Sequence, residues 1–296
     1  MQPEDNAVDE DGVKKRSAIR EALGVRYAIE KGSEMIEKEN IPFSNRVIKA
    51  MHKAMYNKLA FFAALGQGVS GEFRTHSVRV GNRYFPPEPQ HISDMMSDLE
   101  KYIHDDSDVS PVVKTAVAHA QFEIIHPFSD GNGRIGRLLI PLLLKKYGLT
   151  DTVSFFLSTH IERQRREYYT RLENITKQGD WDGWVHFFLS SIVEYGAELK
   201  QKVDTLNKLY MDGHFLKLKS TASQHIKNYI FKHPFFTVPD MIKYFKENEI
   251  SLVNQHGLHN TLTSSPDIQV LVPGKGGKQT QYVCQAIVDV IQKIDT

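Results

Sequence analysis

Two strongly apolar segments with helical spacing flank one short polar loop, and this pairing constrains the chain more than any other feature. The first segment opens on Pro111, which suits a first helical turn, and carries Val113, Val117, Ala120 and Ile124 at three-to-four spacing. The second runs through the unbroken apolar stretch Leu138 to Leu144 and closes on Lys145, Lys146 and Gly148. Such faces must be buried, so the sequence predicts a mainly α bundle with the loop at 126–133 joining two of its core helices. Pro141 lies inside the second segment and is expected to kink it.

The rest of the chain sorts around that pair. Residues 1–15 are polar and are expected to fray. From Ser17, the spacing of Ile19, Leu23, Ala28, Met35 and Ile36 predicts two short helices with a stop at Lys31-Gly32. Ser44 is an N-cap candidate for a helix carrying Val47, Ile48, Met51, Met55 and Leu59. Residues 73–87 have a different texture: alternation at Phe73, Val78 and Val80 around the turn pair Gly81-Asn82 predicts a β-hairpin lying on the helical body. Helices are expected again from Ile92, over 160–177 and over 181–200. Beyond a charged helical connector at 200–220, three helical patterns precede two strand-like pieces, Ile268–Val272 and Thr280–Val283. Three helices and a hairpin is the layout of a winged helix-turn-helix. The expected domains are thus an N-terminal helical segment at 1–45, a core at 46–195, a connector at 196–220 and a winged-helix-like domain at 221–296.

Composition narrows the function classes. With 296 residues, 37 Lys+Arg and 36 Asp+Glu, the net charge is 37 − 36 = +1, which excludes nucleic-acid binding by bulk charge but not by a local basic face. The single cysteine, Cys284, excludes an intramolecular disulfide framework and reads as a small buried hydrophobe. No apolar run approaches the roughly 20 residues a bilayer needs, and the acidic start lacks a secretory apolar core. A soluble protein of the reducing cytoplasm is expected.

The chemistry concentrates in His126-Pro127-Phe128-Ser129-Asp130-Gly131-Asn132-Gly133-Arg134-Ile135-Gly136-Arg137. Gly131 and Gly133 allow close backbone approach at a helix start, where free N–H groups and the dipole favour an anion. Arg134 and Arg137 are three apart and present two guanidinium forks to phosphate oxygens. Asp130 is a hard oxygen ligand suited to Mg²⁺, and His126 can accept a proton near neutrality. Together they suit a nucleoside triphosphate held beside a general base. The stretch Gly131 to Gly136 also matches the dinucleotide fingerprint G-x-G-x-x-G, but that fingerprint needs a preceding strand and here the preceding period is helical. Gly274 to Lys278 fails P-loop spacing, and Gln279 stands where Ser or Thr is required.

The stretch HPFSDGNGRIGR resembles the signature of the Fic family, HPFx[DE]GNGRxxR, at every defined position. Gly71-Glu72-Phe73-Arg74 with the hairpin looks like the family's flap, and Glu167-Tyr168-Tyr169 with Gly179-Asp180-Trp181 looks like its later helix pair. The resemblance runs from about 20 to 195 and implies a protein adenylyltransferase, moving AMP from ATP to a Ser, Thr or Tyr hydroxyl of a target protein and releasing pyrophosphate. It implies His126 as the base, Asp130 as the Mg²⁺ ligand, and Gly131, Asn132 and Gly133 as the cradle of the α-phosphate. Arg134 and Arg137 take the outer phosphates, with Ile135 and Gly136 completing the ATP-binding stretch. It further implies that Val80, Gly81, Asn82, Arg83 and Tyr168 border the nucleotide, and that the flap docks the target protein by adding a strand.

Family members often carry an inhibitory [ST]xxxE[GN] helix. Here Ser17 to Glu21 is followed by Ala22, and Ser33 to Glu37 by Lys38, so neither completes it. An upstream segment or a partner chain could supply it, and a homodimer is also compatible with the resemblance. The rival readings are a nucleotide-binding transcriptional regulator that uses the winged helix on DNA, and an enzyme that removes AMP from protein. Gln255 to Asn260 is only weakly basic, which favours a protein-contact or packing role over DNA.

Overall fold

The computed structural model describes residues 10–57, 68–81, 84–216, 223–250, 258–274 and 279–292, with side chains described from residue 21. The chain divides into two compact units, Met1–Tyr195 and Gly196–Thr296. Among the described residues, no helix is long and apolar enough to cross a membrane.

The first unit contains α1 (Glu10–Glu37), α2 (Asn45–Asn57), α3 (Pro89–His104), α4 (Pro111–Ile125), α5 (Asn132–Lys146), α6 (Ser158–Arg163) and α7 (Arg165–Gln178). It ends within α8 (Trp181–Met211). Helices α4 and α5 are its centre. Ala116, Ala118, Ala120, Phe122 and Ile125 of α4 are fully buried, as are Ile135, Leu139, Ile140 and Leu143 of α5. Both helices are apolar on more than one face because a different layer covers each face. One core joins them to α1, α2 and α3 through Ala28, Met51, Met55, Met96 and Leu99. Another joins them to α7 and α8 through Tyr168, Ile175, Trp184 and Phe188. Each large aliphatic side chain sealed here contributes roughly 1.5–3 kcal/mol. The Trp184 indole N–H donates to the Ala116 carbonyl at 2.8 Å, so its one polar group is satisfied where it is buried.

The structure departs from the sequence reading at several places. Lys31-Gly32 does not stop a helix, because α1 is continuous to Glu37. A Cβ at Gly32 would meet Met51 Sδ at 2.8 Å and Leu142 Cδ1 at 3.3 Å, so the glycine serves close packing of helices rather than a break. Pro141 lies inside α5, which extends from Asn132 to Lys146. The segment expected as one helix over 160–177 is two, α6 and α7, parted at Gln164.

Among the described residues, the hairpin expected over 73–87 is one antiparallel bridge, between Val80 and Tyr84. Their two main-chain hydrogen bonds measure 2.9 and 3.3 Å, and the paired positions are separated by three residues of sequence where a two-residue turn was expected. The segment is held by side chains instead of a ladder: Arg74 lies inside it, and the Tyr84 hydroxyl donates to the Ile124 carbonyl at 2.7 Å. Asn82, Arg83 and Leu59 lie outside the described residues.

The second unit contains the end of α8, α9 (Ser223–Lys232), β1 (Phe235–Thr237), α10 (Val238–Glu247), α11 (Leu258–Thr263), β2 (Gln269–Val272), β3 (Gln281–Val283) and α12 (Gln285–Gln292). The strands form one antiparallel sheet in the order β1-β3-β2, with Phe236 opposite Tyr282 and Val270 opposite Tyr282 on the other side. Thr237 caps α10, its hydroxyl accepting from the Asp240 N–H at 3.3 Å. Ile226, Tyr229, Phe236, Met241, Phe245, Leu262, Tyr282 and Ile287 make the core. Cys284 is buried there, and burial pushes its thiol up to about 11. Strand β1 and helix α12 were not expected from the sequence; three residues at Phe235–Thr237 are too few to show a period.

Candidate functional site

The loop between α4 and α5 is built on two left-handed residues. His126 closes α4 with φ 52° and ψ 58°, its N–H donating to the Phe122 carbonyl at 3.0 Å. Gly131 precedes α5 with φ 80°, where a Cβ would also meet Met55 Cε at 2.6 Å and the Tyr56 hydroxyl at 2.8 Å. Only glycine fits both demands. No side chain caps α5, so its first N–H groups stay available to an anion.

Burial divides the loop into two faces. Asp130, Gly133, Arg134 and Arg137 are half-buried, as is His126, whereas Gly131, Asn132, Ile135 and Gly136 are buried. The Asn132 side chain, expected at a phosphate, is 1% exposed and turned into the loop. Its Oδ1 accepts from the Phe128 N–H and its Nδ2 donates to the Phe128 carbonyl, both at 2.8 Å. An amide can serve a ligand or a loop, and here the loop has both of its ends. Ile135 is fully buried in the core, and a Cβ at Gly136 would clash with Glu123 Oε1 and approach Phe122 Cδ1 to 3.1 Å.

His126 presents a neutral imidazole at the end of α4. Its Nδ1 lies 3.4 Å from the Glu123 carbonyl, which can only accept, so Nδ1 carries the proton. Its Nε2 makes no hydrogen bond among the described residues. Burial first, then the nearby Arg74 charge, lowers its pKa to about 4 against the pull of the Glu123 carbonyl and Asp130. The ring is neutral at pH 7, with a lone pair on Nε2.

Asp130 and Arg134 form an ion pair at 2.9 Å, from Arg134 Nη2 to Asp130 Oδ2. Both are partly exposed, so the pair itself is worth little. Tyr56 of α2, which sequence reasoning did not single out, completes it: its hydroxyl donates to the same Oδ2 at 2.6 Å and accepts from Arg134 Nη2 at 2.9 Å. One helical turn away, His52 accepts the Gly71 N–H on Nδ1 at 2.9 Å, which leaves the proton on Nε2 to donate to the Asp130 carbonyl at 3.0 Å. Its ring stacks on Phe128 at 3.9 Å, and burial lowers its pKa to about 4. The only sequence signal for this pair was an i, i+4 spacing on a methionine-rich face.

Arg137 makes no ion pair or hydrogen bond among the described residues. Its Nη1 lies 3.1 Å from where a Gly133 Cβ would stand, so its guanidinium folds over the first turn of α5. Tyr168, expected to border a nucleotide, is instead 2% exposed among Trp184 and Phe187. His119 Nδ1 must donate to the Gly136 carbonyl at 2.9 Å, so the Tyr168 hydroxyl donates to His119 Nε2 at 3.0 Å. Tyr168 supports α5 from behind, and the exposed ring is its neighbour Tyr169. Val80 is half-buried and Gly81 exposed at the bridge, with φ 57° at Gly81.

A cation would find one carboxylate here. Among the described residues no group of three or more His, Cys, Asp or Glu could hold a metal alone. Among the described residues Asp130 Oδ1 takes no hydrogen bond while Oδ2 is doubly engaged, which fits a cation shared with phosphate oxygens and water.

Residues 42–144 match the model of the Fic/DOC family. Over 143 residues the chain is 30% identical to the protein adenylyltransferase fic-1 of Caenorhabditis elegans, covering 46% of this chain and 27% of that protein. It is 36% identical over 119 residues to the protein adenylyltransferase Fic of Culex quinquefasciatus, covering 40% of this chain and 22% of that protein. The chain therefore spans under a third of the length of these curated relatives. Among solved structures, a Fic family protein from Desulfovibrio desulfuricans G20 shares the fold with a TM-score of 0.53, at 19% identity over 94% of this chain and 82% of that one.

Proposed function

We propose that this protein transfers AMP from ATP to a hydroxyl side chain of a target protein, releasing pyrophosphate. The observation that carries the reading is the junction of α4 and α5. A neutral histidine with a free Nε2 ends one helix, and an uncapped helix start with a carboxylate and two arginines begins the other. The similarity of this region to proteins named as adenylyltransferases supports it.

In this reading the target hydroxyl loses its proton to His126 Nε2 as its oxygen attacks the α-phosphorus. The new O–P bond forms while the bond to the β-phosphate bridging oxygen breaks, and pyrophosphate leaves with that electron pair. The first N–H groups of α5 receive the charge that develops on the α-phosphate oxygens. Arg134 and Arg137 bind the β- and γ-phosphates and stabilise the leaving group. Asp130 would hold Mg²⁺, which supplies charge neutralisation to the phosphates. The segment around Val80 to Tyr84 offers its main chain to an extended target segment.

The order α9, β1, α10, α11, β2, β3 with a three-stranded sheet supports a winged-helix reading of the second unit. Helix α11 contains no Lys or Arg, which favours protein contact or packing over DNA. A single buried cysteine is compatible with the cytoplasm.

The test is incubation with lysate, Mg²⁺ and ATP labelled at either the α- or the γ-phosphate. The expected result is protein labelling from the α-position that depends on the added protein and is lost in His126→Ala. Added-protein-dependent transfer from the γ-position only, or none even with native partners present, would overturn the reading.

A further inference from the structure

The tightest polar cluster at the site is assembled from a helix that the motif does not include. Tyr56 is 1% exposed, yet its hydroxyl bonds to two half-buried charged groups at once, Asp130 Oδ2 at 2.6 Å and Arg134 Nη2 at 2.9 Å. The Arg134 guanidinium also lies 5.6 Å from the Tyr56 ring centroid. Four residues earlier, on the same face of α2, His52 holds the Asp130 main chain through its carbonyl. Helix α2 thus grips Asp130 by backbone and by side chain. Gly131 must be glycine partly because the Tyr56 hydroxyl lies 2.8 Å from where its Cβ would stand.

A phenol can donate one hydrogen bond and accept from others. The carboxylate takes the donated proton, because the guanidinium has none of its lone pairs to offer. That fixes the rotation of the Asp130 carboxylate through Oδ2 and leaves Oδ1 unengaged. When phosphate draws Arg134 away, Asp130 loses its cationic partner but keeps the Tyr56 hydrogen bond. Resting on the adenylyltransferase reading, we propose that Tyr56 is a positioning residue, which orients the Asp130 carboxylate for the divalent cation that accompanies the nucleotide.

The experiment compares the wild-type protein, Tyr56→Phe and Tyr147→Phe. Tyr147 is a matched control, since its hydroxyl donates to the Ile103 carbonyl at 2.9 Å in the same unit. Binding of Mn²⁺ in the presence of the non-hydrolysable analogue adenosine 5′-(β,γ-imido)triphosphate is followed by electron paramagnetic resonance, beside Tm and the Mg²⁺ dependence of AMP transfer. Removing the partner of a metal-binding group should weaken metal affinity about ten-fold in Tyr56→Phe. Saturating Mg²⁺ should bring its rate back to within about three-fold of wild type. Tyr147→Phe should match wild type in Mn²⁺ affinity. If Tyr56→Phe binds Mn²⁺ like the wild type and differs only in Tm, the hydroxyl is structural and the proposal falls alone. If the wild type itself binds no Mn²⁺–nucleotide, the adenylyltransferase reading falls and takes the proposal with it.

Discussion

The Arg74 guanidinium donates from Nε to the His126 carbonyl at 2.9 Å, while the Arg74 N–H donates to the Pro127 carbonyl at 2.8 Å. One residue of the 73–87 segment therefore holds the carbonyls of the first two residues of the α4–α5 loop. The same guanidinium reaches the carbonyls of His76 at 3.0 Å, Pro87 at 2.6 Å and Ile125 at 3.5 Å. A cation is well placed at the end of α4, where carbonyls lack helical partners.

Arg74→Lys should therefore be costly. An ammonium cannot span these carbonyls, and each one left buried without a donor costs about 1–3 kcal/mol. Urea denaturation should show a loss on the order of 3 kcal/mol. A loss below about 1 kcal/mol would show that the carbonyls find other partners.

If His126 is the base of the proposed AMP transfer, the acid limb of the pH profile reports on it. Its pKa is depressed, chiefly by burial and further by Arg74, to about 4. The base is protonated below that value and neutral above it. The kcat/KM for AMP transfer should stay flat from about pH 5.5 to 7.5 and fall only as pH drops toward 4. A fall centred near the ordinary histidine value of about 6.5 would count against a buried, neutral base.

Glu123 gives a pH dependence of the opposite sign. Its Oε1 is sealed from solvent and accepts no hydrogen bond. Burial raises its pKa to about 7, against the opposing pull of Arg137. The folded state then binds more protons than the unfolded one between about 4.5 and 7, so this group's stabilising contribution is present below that window and lost as pH rises through it. Glu123→Gln should raise Tm by several degrees at pH 8 and change it little at pH 4.5. Equal effects at both pH values would rule out a buried charge as the cause.

The mainly α architecture and the loop were legible because local signals carry them: apolar period in α4 and α5, glycines with positive φ, and a twelve-residue motif. Chain-distant partnerships were not. Tyr56 and Asp130 are 74 residues apart, and nothing local in α2 distinguishes a tyrosine that holds a carboxylate from one that fills a core. The inward turn of the Asn132 and Tyr168 side chains was hidden for a related reason, since an amide or a phenol can satisfy either a ligand or the protein. Gly32 was read by the usual rule for a helix stop, yet Met51 and Leu142 need its empty side.

The two Asn132 hydrogen bonds to Phe128 close a small ring within the loop, with Phe128 fully buried as its anchor. The conformational freedom of that segment is therefore surrendered once, when the chain folds. If the loop binds a polyanion as proposed, the ligand meets N–H groups already aligned, so its association should lose little entropy to loop ordering and should depend chiefly on displacing water and freeing Arg134 from Asp130.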